Sequence, residues 1–184
     1  MISQHLETSL TTKRLYLTKS RRFKHYLDCY ILAGISCFFI ALVAKGFTDK
    51  IGNYDSPYFL LFLIFPVMAI VSIIVKRSEL RYSEIETGKP LADNYKAVKE
   101  TLKVLGWQLS LDKRRFLEAF TNNFGFWTST DQMITIIISD NKILYNSIGN
   151  VDTYATQLIS WGQHSRNRSQ FKETLGLILS RQHS

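Results

Sequence analysis

This chain of 184 residues carries 23 Lys and Arg against 15 Asp and Glu, a formal net charge of +8, and only two cysteines, Cys29 and Cys37. Both cysteines fall in one apolar run, too far apart along a helix to bridge each other, which excludes a disulfide framework and a cysteine metal site. The charge is divided: residues 1–28 hold six Lys and Arg against Glu7 and Asp28, while residues 90–184 hold eleven against eight acids, a mild excess that is not the signature of a duplex-binding domain.

In chain order, residues 1–25 form a basic N-terminal segment with Lys13, Arg14, Lys19, Arg21, Arg22 and Lys24, suited to an anionic membrane leaflet. Two apolar runs follow, 29–44 and 58–75, and neither contains a charged side chain. The second is 18 residues long, roughly the thickness of a hydrocarbon core at about 1.5 Å per residue. The first extends from Tyr26 and Leu27 to Phe47, with Asp28 and Lys45 expected to snorkel from the helix ends. The expectation is a transmembrane hairpin over 26–76, with spans at about 27–46 and 58–76. Two buried helices of a soluble protein are the alternative, which the lengths disfavour.

Lys76, Arg77 and Arg81 follow the second run, whereas the connector offsets Lys50 with Asp49 and Asp55, so both termini are expected in the cytoplasm. Tyr26, Tyr30, Phe47, Tyr54 and Tyr58 fall where an aromatic belt would lie. No small-residue cleavage site follows the first run, so the anchor is expected to stay. Ala33, Cys37 and Ala41 form a small-residue stripe, and Pro66 is a candidate kink. No ionisable side chain lies in the middle of either span, so nothing marks a proton relay or a midplane ion site.

Residues 77–89 read as a connector, a helical extension of the second span that stops at Gly88-Lys89-Pro90. A new helix opens at Ala92 or Asp93, with Tyr95, Val98, Leu102 and Leu105 at helical spacing and Gly106 as its stop. It begins a cytosolic α+β domain over 90–184. Residues 107–111 and 115–121 read as a hairpin turning at Asp112-Lys113-Arg114; 133–138 is a β-branched interior strand; Asp140-Asn141 is a turn before 143–148; and 156–161 is a possible fifth strand. A last helix turns Phe171, Leu175, Ile178 and Leu179 inward, with Ser165 and Asn167 as candidate caps. The expected order is helix, antiparallel sheet of four or five strands, helix, with the helices on one face.

Catalytic signatures are lacking. There is no Walker-type loop, no Gly-x-Ser-x-Gly elbow and no His-Glu-x-x-His; the domain has only His164 and His183, and Glu118, Asp131 and Asp152 show no paired spacing. The chain is therefore not expected to be an enzyme, nor to need a cofactor or metal. The more informative run is 161–170, where Trp161, Gln163, His164, Ser165, Arg166, Asn167 and Arg168 surround the expected start of a helix. Free backbone N–H groups, the helix dipole and guanidinium donors suit a phosphate there, and Trp161 or Tyr154 could stack on a base. The competing reading is a solvated capping segment with Asn167 as cap. A second candidate surface is the aromatic stretch 122–130, with Phe124, Phe126 and Trp127, beside a basic tip at Lys113, Arg114 and Arg115.

A basic N-terminus, a two-span hairpin and a small cytosolic α+β domain with an Arg-bearing polar loop resemble, by architecture, the membrane-anchored accessory effectors of type III CRISPR systems. More broadly, they resemble two-span effectors of cyclic-nucleotide anti-phage defence. The resemblance implies an antiviral effector of the prokaryotic inner membrane, in which the C-terminal domain binds a cyclic oligoadenylate, cyclic tetra-adenylate being favoured. It also implies a homotetramer whose hairpins then perturb the membrane or form a pore. Two alternatives stand beside it. One is a structural membrane subunit whose soluble domain docks a protein partner through residues 124–127; the other is a constitutive channel subunit.

Overall fold

The chain alternates short apolar strands with amphipathic helices, and in a computed structural model these assemble into two units. The structure describes residues 2–48, 58–121, 131–152 and 163–181. The elements are α1 (Ile2–Thr12), α2 (Lys19–His25), α3 (Leu27–Thr48), α4 (Tyr58–Glu79), β1 (Ser83–Glu86), α5 (Leu91–Val104), β2 (Gln108–Lys113), β3 (Phe116–Phe120), β4 (Gln132–Ile138), β5 (Lys142–Gly149) and α6 (Gln163–Arg181). Residues 19–78 form one unit, and residues 1–18 with 79–184 form the other.

The sheet-bearing unit is α+β. Its five strands lie in the order β1-β5-β4-β3-β2, every neighbouring pair antiparallel. The β-branched run of β4 takes the central place and is buried along its whole length, as a two-sided apolar strand requires. Helices α5 and α6 cover one face, where Ala97, Val98, Leu102, Phe171, Leu175 and Ile178 pack on Leu117, Ile134, Ile136, Ile143 and Tyr145. Tyr145 stacks on Phe171 with ring centroids 4.7 Å apart, and Trp107 stacks on Phe171 at 6.1 Å. Helix α5 ends in a Schellman motif: Trp107 N–H donates to the Leu102 carbonyl and Gly106 N–H to that of Lys103, while Gly106 takes φ +68°, a conformation glycine adopts freely.

Three sequence expectations change here. Residues 83–86 are not a helical extension of α4 but the edge strand β1, with Ser83 opposite Tyr145 and Ile85 opposite Ile143. The period-two placing of Ile85 against the α5 and α6 core outweighs the charged, helix-like composition around it. This strand supplies a fifth place in the described sheet; the possible strand at 156–161 lies outside the described residues. The helices α5 and α6 do share one face, but the opposite face is covered too. Leu15 and Leu17, with Leu10 beside them, close over Met133, Ile137, Leu144 and Ile148. Residues 2–18 are thus part of the α+β unit and not a separate basic tail. Leu15 N–H donates to the Leu80 carbonyl, Tyr82 N–H donates to that of Lys13, and the Lys13 ammonium pairs with Glu84.

In the other unit, α3 and α4 run antiparallel: Phe39 stacks on Phe65 at 5.1 Å, and His25 Nε2 meets the Lys76 carbonyl at 3.1 Å. The inward side of α3 carries Cys29, Leu32 and Ser36. The expected stripe lies elsewhere, with Cys37 and Ala41 exposed within this unit. Asp28 does not snorkel outward; it is buried and faces the equally buried Lys76. Much of the remaining surface is apolar, including Tyr30, Phe38, Ile40, Ile70 and Ile74. Among the described residues no single helix is long and apolar enough to cross a membrane; Lys19–His25 and Leu27–Leu42 pass together, as a pair bent by 55°.

Candidate functional site

Helix α6 is described from Gln163 onward, so Ser165 and Asn167 lie within the helix and are not its caps. The reason is periodicity. Asn167, Phe171, Leu175 and Ile178 form the buried stripe of α6, and one step of four residues back from Asn167 is Gln163. That stripe continues into a set of polar contacts with the sheet. Gln132, at the start of β4, donates from Nε2 to Gln163 Oε1 at 3.2 Å. Its backbone is held by Thr121, whose Oγ1 accepts from the Gln132 N–H at 3.0 Å. Ser147 on β5 sits on the same sheet face, opposite Ile134, and its Oγ lies 3.4 Å from His164 Nδ1.

The other imidazole nitrogen, Nε2, lies 3.3 Å from Oε1 of Glu79. Glu79 is the last residue of α4 and belongs to the sheet-bearing unit. Its backbone is fixed from the other sheet face, where Asn146 donates from Nδ2 to the Glu79 carbonyl at 2.7 Å and to the Arg81 carbonyl at 2.9 Å. Beside Ser147, burial holds the Tyr145 phenol well above its ordinary range, with the Ser147 hydroxyl offsetting part of that shift. Carboxylate, imidazole and hydroxyl in this order have the sequence of roles of a nucleophilic relay. Ser147, however, is 6 % exposed and lies within β5 and not on a turn, so the chain of bonds ties α6 to the sheet and does not present a nucleophile.

Of the seven residues read as ligand-binding, Trp161 lies outside the described residues, as do Tyr154 and the aromatic stretch 122–130. Gln163 and His164 are half-buried, Asn167 is buried, and Ser165, Arg166 and Arg168 are exposed. The structure pairs Gln163 with Gln132, and His164 with Ser147 and Glu79, while Asn167 is buried on the same helix. It does not bring the two arginines together: two residues apart on a helix they point roughly 160° from one another, whereas Arg168 shares a side with His164. Glu79, Gln132 and Ser147 were missed in the sequence. The available signal was the polar pair Asn146-Ser147 inside an otherwise apolar strand. Among the described residues no group of three or more His, Cys, Asp or Glu could hold a metal ion.

No protein-family model matches this chain. No curated protein matches it either. Among solved structures it is similar to a DUF4468 family protein from Bacteroides ovatus ATCC 8483. That likeness has 7% sequence identity and a TM-score of 0.29, covering 53% of this chain and 77% of the other. At that score it carries no argument about fold or function.

Proposed function

We propose that this chain is a membrane-attached sensor whose α+β unit binds an anionic nucleotide at the start of α6, with α3 and α4 as the membrane-embedded output. The observation that carries the reading is the apolar surface of the two-helix unit. Phe38 and Ile74 are each 62% exposed, and Tyr30, Ile40 and Ile70 are exposed with them. In water exposed apolar side chains in such number favour association, and lipid is a medium in which they are stable. The basic flanks at Lys19, Arg21, Arg22 and Lys24 and at Lys76 and Arg77 would hold both helix ends on the cytoplasmic side of a prokaryotic inner membrane.

The ligand reading is supported by the polar, donor-rich stretch of α6 at residues 163–168. His164 and Arg168, on one side of that helix, add donors for phosphate oxygens. The messenger proposed is a cyclic oligoadenylate, cyclic tetra-adenylate first, surrounded by a homotetramer as in the CRISPR-associated effectors that the architecture resembles. The protein then acts by binding and assembly and not by catalysis. The test is calorimetry of cyclic tetra-adenylate against the full chain in detergent micelles, since a fragment starting at residue 90 would lack β1 and the segment covering the second sheet face. Saturable binding with a mass of four chains is the expected result; a monomer indifferent to the nucleotide would overturn the reading.

A further inference from the structure

We infer that the two-helix unit carries a site for one anionic phospholipid headgroup, formed where Arg22 of α2 and Arg77 of α4 flank Tyr26. The inference rests on the proposed embedding of α3 and α4 and names the lipid that this embedding selects. His25, in the last turn of α2, has its Nε2 3.1 Å from the Lys76 carbonyl, which sets the end of α2 beside the last turn of α4. The charges of Arg22 and Arg77 both act on the Tyr26 phenol, so two guanidinium groups far apart in the chain converge on one side chain. Both arginines are exposed. Tyr26 N–H donates to the Arg22 carbonyl at 3.2 Å, and Tyr30 N–H donates to the Tyr26 carbonyl at 3.0 Å, so the three residues follow at steps of one helical turn. Phe23 stacks on Tyr30 with ring centroids 5.6 Å apart, and both rings are exposed.

This end of the unit is strongly positive. Lys19, Arg21, Arg22 and Lys24 lie on α2, and Lys76 and Arg77 in the last turn of α4. Among the described residues of 19–78 the sole acid is Asp28, which is buried and faces Lys76. The two helix C-termini return only about half a negative charge each, so the local potential stays positive. Aromatic rings beside guanidinium groups suit the boundary between headgroups and acyl chains. Two planar guanidinium groups can each offer paired donors to the oxygens of one phosphodiester. Helix α2 departs from the line of α3 by 55°, with Tyr26 at the bend, so α2 runs along the membrane surface as an interfacial helix and does not continue the span. The Tyr26 hydroxyl then adds a third donor at headgroup depth. Surplus positive charge favours a lipid of net negative charge over a zwitterionic one, whose choline it repels.

The test is native mass spectrometry of the full chain in detergent micelles, titrated with dioleoyl phosphatidylglycerol or dioleoyl phosphatidylcholine. The proteins are wild type, Arg22→Gln/Arg77→Gln, and a charge-matched control, Lys103→Gln/Lys172→Gln, whose lysines are exposed in the sheet-bearing unit. Wild type and control are expected to hold one phosphatidylglycerol per chain in preference to phosphatidylcholine. The arginine variant is expected to bind phosphatidylglycerol about thirtyfold more weakly, from about fivefold per basic residue at an anionic surface. Matching melting midpoints keep weaker binding from being a loss of fold; should the double variant melt early, Arg22→Gln and Arg77→Gln alone, each about fivefold weaker, carry the test. Equal phosphatidylglycerol affinity in wild type and the arginine variants would overturn the site and leave the embedding standing. Equal affinity of wild type for the two lipids would do the same. Release of the wild-type chain from phosphatidylglycerol vesicles by alkaline carbonate would overturn the embedding, and the site with it.

Discussion

Single polar residues inside apolar strands carry more of this structure than their number suggests. Asn146 lies among Leu144, Ile148 and Met133, yet its amide donates to two carbonyls at the end of α4 and beyond it. Replacing it with Ala leaves both carbonyls short of a buried donor, and a loss of about 2 kcal/mol is expected; thermal melting of the full chain in micelles checks this, and an unchanged midpoint would refute it. Tyr145 makes a prediction in pH. Burial raises its phenol above the ordinary value of about 10, so the folded state keeps it neutral where the unfolded chain ionises. The stability involved is fully present below pH ~10 and is lost as pH rises through the folded-state value. Tyr145→Phe removes that proton, and its alkaline unfolding midpoint is expected above that of wild type. Tyr82, raised by burial in the same sense, contributes a parallel loss that the single variant retains.

At the scale of elements, the exposed edge strand β2 is tied to α5 by one carboxylate. Asp112 accepts from Tyr95 Oη at 2.8 Å and from Lys99 Nζ at 2.9 Å, and the Lys99 ammonium beside it holds the Asp112 carboxyl below its usual range. A depressed carboxyl stabilises the fold above its unfolded value of about 3.9, and that contribution is lost as pH falls through the folded value. The pair is partly exposed, so Asp112→Asn is expected to cost under ~1 kcal/mol at neutral pH. The difference from wild type should close in acid titration of stability as pH falls through the folded-state value, and a gap that persists below it would show another cause. The same elements mark what could be read in the sequence. Helix α5 and strands β3, β4 and β5 were legible because each buries a periodic apolar face of its own. Strand β1 was not, because four residues with two glutamates carry too little periodicity, and only pairing with β5 and the packing of Ile85 select the strand. The candidate site was legible as residue types at 163–168 but not as geometry. Residues 163–168 lie within the helix, which points Arg166 away from Arg168 and turns Asn167 inward. Its partner Glu79 lies 85 positions before His164, and no local pattern connects residues so distant in the chain.

At the scale of the whole molecule, the N-terminal residues are drawn into the sheet-bearing unit by apolar contact, which leaves the basic cluster from Lys19 to Lys24 on α2 in the other unit. The proposed membrane role therefore falls on residues 19–78 alone, and the two cysteines of α3 test it. Cys29 is buried within that unit, whereas Cys37 is exposed on its surface. A maleimide reacts with thiolate, which forms only where water can take the proton and solvate the charge. If the outward side of α3 meets lipid, Cys37 sits in hydrocarbon, and a polar maleimide added to intact membranes should label neither cysteine. Solubilising in denaturing detergent should then expose both, giving two labels per chain by mass. If the same surface meets water, Cys37 reacts in membranes at the rate of an exposed thiol while Cys29 stays protected. Rapid single labelling before detergent is added would place α3 outside the bilayer and overturn the proposed output.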